Sequence, residues 1–146
     1  MPTTRAAALA ALLGAASVLL PAPHLVRRDD GLPRDIPADG ALVELGDGVV
    51  EVLPLLSPPL FEITLTAEIS LSADTRETLD AAVAALAALV ADGADRTLGG
   101  LIDGLEFGEP SFATVAEMGD EATPLPPFHD AQVPVRLFYL ATSPLG

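Results

Sequence analysis

FEITLTAEISL, Phe61 to Leu71, is the stretch that decides the fold. Phe61, Ile63, Leu65, Ala67, Ile69 and Leu71 alternate with Glu62, Thr64, Thr66, Glu68 and Ser70 without a break. Side chains on a strand point alternately to its two faces, so this pattern predicts one strand with an apolar core face and a polar face that is wet or meets a partner. Eleven residues exceed the usual strand of about five or six. Glu62 and Glu68 share the polar face but lie six residues apart, about 20 Å, too far for a catalytic carboxylate pair.

Directly afterwards, SADTRETLDAAVAALAALVADG changes period. Leu79, Val83, Leu86 and Val90 fall on one helical stripe, with Ala82 and Leu89 beside it. Asp74 followed by Glu77 is expected to form a capping box, and Gly93 sits where a left-handed C-cap is wanted. Upstream, ALVELGDGVVEVLPLL (Ala41 to Leu56) carries Asp47-Gly48 between two apolar runs, which predicts a β-hairpin. A short strand is expected around His24 to Arg27. Ser57, Pro58 and Pro59 interrupt the sheet before the long strand.

Downstream, DRTLGGLIDGLEFGEPSF (Asp95 to Phe112) contains Gly99, Gly100, Gly104 and Gly108. A phosphate cradle needs its glycines between a strand and a helix start, where free N–H groups face the anion. Here they follow a helix and precede the strand-like LIDGLEF, so they read as turn and cap residues. The segment from Gly108 to Ala131 is irregular, and a loop of that length is usually functional or mobile. QVPVRLFYLAT then sets Val133, Val135, Leu137 and Tyr139 on one face, and Pro134 predicts a sheet edge or a bulge.

The N-terminal MPTTRAAALAALLGAASVLLPAP reads as a helix with Thr3 or Thr4 as N-cap and Pro21 as its stop. A secretory signal peptide is the competing reading. The apolar run is too short for a confident membrane span. The order of elements predicts a single α+β domain over residues 1–146, with a small mixed or antiparallel sheet and two helices packed on one face.

Composition narrows the function. Twenty-one acids against seven bases give a net charge of −14, and every base is an arginine. That argues against wrapping nucleic acid, whose binding rests on basic contacts to phosphate, but not against a surface that DNA slides past. Cysteine is absent, which excludes disulfides and thiolate metal sites. His24 and His129 lack metal-ligand spacing. Asp29, Asp30, Asp35 and Asp39 lack the spacing of a calcium loop. His129-Asp130 could orient a base, yet no nucleophile signature accompanies it. No catalytic, cofactor or metal site is expected.

GLPRDIPADGALV (Gly31 to Val43), DRTLGGLIDGLEF (Asp95 to Phe107) and the C-terminal TSPLG (Thr142 to Gly146), in this order and spacing, resemble the small tail-terminator proteins of long-tailed bacteriophages and of alphaproteobacterial gene transfer agents. The resemblance covers Gly31 to Gly146 and is most specific over Arg96 to Leu101 and the C-terminal tail; the loop from Glu109 to His129 departs from the pattern. It implies a homohexameric ring that caps the tail tube, stops its polymerisation and joins it to the head-side connector, with DNA passing through the lumen. It further implies a structural protein of the virion, at the head-proximal end of the tail, assembled in the host cytoplasm without a membrane. Arg76, Arg96, Glu62 and Glu68 are the expected interface or ion-pair residues, because only seven cations serve 21 acids. The alternative function is a secreted or periplasmic small binding protein.

Overall fold

The computed structural model describes residues 4–29, 35–55, 60–91, 93–115 and 128–142. Gly31 to Arg34, most of the loop before His129 and the end of TSPLG lie outside them. The fold is α+β: a seven-stranded mixed sheet with two helices. In chain order the elements are α1 (Thr4–Leu19), β1 (Leu25–Arg28), β2 (Ala41–Leu45), β3 (Val49–Pro54), β4 (Phe61–Ala73), α2 (Arg76–Leu86), β5 (Gly104–Phe107), β6 (Ser111–Val115) and β7 (Phe128–Ala141). A short 3-10 helix, Ala87–Val90, continues α2. The main strand order is β1-β2-β4-β7-β5; β3 also pairs with β4, and β6 with β7. Only β1 and β2 run parallel, which makes the sheet mixed.

β4 keeps the alternation read from its sequence through Leu71 and runs on to Ala73, where Ser72 is buried as well. Ile63, Leu65, Ala67, Ile69 and Leu71 are buried on the helix side, facing Val133, Val135, Leu137 and Tyr139 of β7. α1 closes that side with Ala8, Leu9, Leu12 and Ala16, and α2 with Leu79, Ala82 and Leu86. Gly93 takes a positive φ of 81°, after the 3-10 helix. The helix start lies one residue beyond expectation. Thr75, not Asp74, is the N-cap, and its hydroxyl accepts from the Thr78 N–H at 3.2 Å. A threonine in extended conformation, φ −124° and ψ 150°, satisfies an orphan N–H, although it ranks somewhat below aspartate as a cap.

The expected hairpin at Asp47-Gly48 is not formed. β2 and β3 both lie along β4, end to end. Leu45 faces Ile69 and Val49 faces Thr66, so four steps on this side match three on β4. The extra residue is a bulge. Gly48 has φ 77°, and Gly46 donates its N–H to the Glu68 carbonyl at 3.0 Å. The positive φ that glycine supplies for a hairpin turn serves this bulge instead.

The opposite side of the sheet repeats the device. Phe107 faces Val135 and Ser111 faces Gln132, again four steps against three. Pro134 lies in that gap, in a central strand: of the expected edge or bulge, the bulge is what forms, on the β5–β6 side. Its carbonyl accepts from the Gly108 N–H at 2.8 Å, on the β5–β6 side. N–H and C=O of one strand residue point the same way. The donor that proline lacks is therefore lost in the gap, and pairing with β4 is intact. Glu68 pairs with Pro134, so the two breaks sit at one level across the sheet.

The Tyr139 hydroxyl is buried and has no hydrogen-bond partner among the described residues, and the residue is 2% exposed. Burial pushes its pKa up, and the positive charge of Arg5 opposes that. Removing an unsatisfied buried hydroxyl relieves its desolvation cost. Tyr139→Phe is expected to stabilise the protein by about 1 kcal/mol. A lower denaturation midpoint would mean that the hydroxyl makes a bond.

Candidate interaction surface

Opposite the helices, no described residue covers the other face of the sheet from Glu62 to Glu68 of β4, whereas Leu42 and Ser72 farther along it are buried. The register places Leu53, Glu62 and Leu140 in one row, Glu51, Thr64 and Phe138 in the next, and Val49, Thr66 and Arg136 in the third. Val49, Leu53 and Leu140 are exposed, and Leu53 keeps 58% of its surface. Glu62 and Glu68 are both exposed here, and neither has an ion pair among the described residues. Glu51, which sequence reasoning missed, lies diagonally across the β3–β4 pair from Glu62. Such diagonal positions are roughly 7–8 Å apart. The hairpin reading concealed this neighbour, because it placed β3 beside β2.

The two arginines singled out by sequence lie elsewhere. Arg76 begins α2, pairs with Asp80 at 2.9 Å and rests over the Phe112 ring at 4.4 Å. This exposed pair one helical turn apart contributes only about 0.3–0.5 kcal/mol. Arg96 is exposed, and its guanidinium donates to the Val90 carbonyl at 2.6 Å, closing the end of the 3-10 helix. The other ion pairs among the described residues are Arg27–Glu44, Arg28–Asp47 and Arg136–Glu106. Arg5 donates to the Asp47 carbonyl.

The glycine-rich turn holds an anion, and the anion is its own. The Asp95 carboxylate accepts from the Thr97 N–H and from the Gly99 N–H, each at 2.9 Å, and from the Thr97 hydroxyl. Leu98, Gly99 and Gly100 take positive φ values of 52°, 75° and 86°. These bonds hold the Asp95 pKa below the usual aspartate value, the Thr97 hydroxyl contributing most. Because the folded pKa is depressed, this contribution is present above the unfolded pKa and is lost as pH falls through the folded one. Protection of the Gly99 amide from hydrogen exchange is expected to persist below the pH at which free aspartate protonates. It should vanish in Asp95→Ala at any pH.

The histidines have structural partners. His24 Nδ1 accepts from the Ala41 N–H at 3.0 Å, next to the β1–β2 pairing. His129 Nδ1 lies 3.2 Å from the Thr114 hydroxyl. Asp130 is the next residue of β7 and faces the other way, where Ser72 donates to it at 3.3 Å. The strand thus separates the two groups that would have to cooperate. Among the described residues no cluster of His, Asp and Glu could hold a metal ion, and no helix is long and apolar enough to cross a membrane.

The surface so defined is an acidic, partly apolar sheet face whose outer strands β3, β5 and β6 pair on one side only among the described residues. No protein-family model and no curated protein matches this chain.

Proposed function

We propose that this chain is a ring-forming tail terminator, a structural and non-enzymatic protein that caps the tail tube and joins it to the head-side connector. The observation that carries the reading is the uncovered acidic face of the sheet, bounded by β3 on one edge and by β5 and β6 on the other. A ring needs two different surfaces on each subunit, so that each contact is head to tail and the rotation closes. Two unlike free edges provide them. A long, exposed apolar edge such as β3, left bare, invites pairing with another chain. An acidic face suits a lumen that DNA crosses without adhering.

The three segments that resemble tail terminators support the same reading. So does α1. Its Leu9 and Leu12 belong to the same buried core as Leu79 and Leu86, which does not suit a removable signal segment.

The purified chain is expected to sediment as a closed oligomer of about six copies. Arg96→Ala should weaken assembly more than Arg5→Ala. Equal effects of the two substitutions would count against the reading.

A further inference from the structure

A shallow hollow of about 320 Å³ lies on the open face at the β3 edge, lined by Glu51, Val52, Leu53, Glu62 and Thr64. Its two carboxylates are diagonal neighbours of like charge, and neither has a partner among the described residues. Arg136 is the one base on the adjoining rows, and it is bound to Glu106 at 2.9 Å. A cation placed between the two glutamates would relieve their repulsion, and the exposed Leu53 offers apolar surface for the stem of that cation.

Only Arg5 and Arg96, among the described arginines, lack a carboxylate partner. Arg5 is half-buried at the start of α1, whereas Arg96 is exposed. Arg96 belongs to the turn that also presents Leu101, 38% exposed, and that enters the sheet where the Asp103 N–H donates to the Phe138 carbonyl. Phe138 is two residues from Leu140 on β7, and Leu140 shares a row with Leu53 and Glu62. The turn and the hollow therefore stand near one level on opposite edges. β4 and β7 lie between β3 and β5, which sets the edges roughly 15 Å apart at about 4.8 Å per strand.

We infer that the Glu51–Leu53–Glu62 hollow receives the Arg96–Leu101 turn of a second copy, so that successive subunits join head to tail. This rests on the ring reading and specifies its seam. The charges are complementary, an apolar residue lies beside them on each side, and one chain cannot close the contact on itself.

Sedimentation velocity of the full chain tests it, with wild type, Arg96→Glu, Glu51→Arg with Glu62→Arg, and all three substitutions together. A wild-type oligomer, a fall of tenfold or more in assembly for each partial variant and recovery in the combined one would bear the seam out. A monomeric wild type at high concentration would overturn the ring and the seam together. An oligomer unmoved by these changes, or not restored by the combination, would overturn the seam alone. Disulfide cross-linking provides a second reading, since the chain has no cysteine of its own. Leu53→Cys with Leu101→Cys should give covalent multimers under oxidation, and exclusively monomeric product would contradict the seam.

Discussion

Ile63→Asn is expected to abolish the cooperative fold. Ile63 is 0% exposed and sits between Val52 of β3 and Tyr139 of β7, under the helices. Deleting an aliphatic side chain at such a site costs roughly 2–5 kcal/mol, because the surroundings collapse only in part. The amide that replaces it is flanked in that row by Val52 and Tyr139, and a buried amide left unpaired costs about 1–3 kcal/mol more. The sum, roughly 3–8 kcal/mol, is comparable to the lower part of the range of about 5–15 kcal/mol that a domain has. The protein should appear in the insoluble fraction or lose its cooperative urea transition. Ile63→Val, which removes one methylene, should cost only about 0.5–1.5 kcal/mol. A soluble Ile63→Asn protein with a wild-type transition would contradict the placement of β4.

Gly48→Val carries the second large effect. A Cβ at this position would lie 2.5 Å from the Thr66 carbonyl oxygen, and φ is 77°. A β-branched residue held at positive φ costs roughly 1–3 kcal/mol, and contact with backbone that cannot rotate away adds to it. A loss of about 3 kcal/mol or more in urea denaturation is expected. Gly99 is the control, since its φ is 75° and nothing lies within 4 Å of its Cβ position. Gly99→Ala should show the conformational cost alone, roughly 1–2 kcal/mol. Equal losses in Gly48→Ala and Gly99→Ala would mean that the bulge does not press on β4.

These two positions also mark what the sequence reveals and what it hides. The long strand was legible because one buried face imposes a strict period of two on Phe61 to Leu71. α2 was legible because Leu79 and Leu86 repeat at helical spacing. Asp47-Gly48 was misread because a hairpin turn and a bulge make the same local demand, a positive φ at glycine. Only pairing with the distant β4 separates them. Pro134 was half legible: a missing N–H argues for an edge or a bulge, and only the interruption between β5 and β6 at that level decides for the bulge. At the candidate surface, Glu62 and Glu68 were legible as residues of the polar face. Their relation to Glu51 was not, since it follows from the β3–β4 register. The self-filled Asp95 turn was half legible. Its glycines read as turn residues, but nothing local shows that the Asp95 carboxylate occupies the N–H groups an outside anion would need.

The proposed ring draws these features together. Two bulges at one level leave β4 and β7 as continuous central strands, and the proposed contacts would use β3 on one side and β5 and β6 on the other, since β2 is already paired with β1. Arginine is scarce, so a base that is not already committed to a carboxylate stands out as a seam residue, and Arg96 is such a base.

Tail length by electron microscopy, in particles produced without this gene, tests the central claim most directly. Overlong tubes without heads are expected, because nothing would stop polymerisation or present a surface to the connector. Infectious particles with tails of normal length would contradict it.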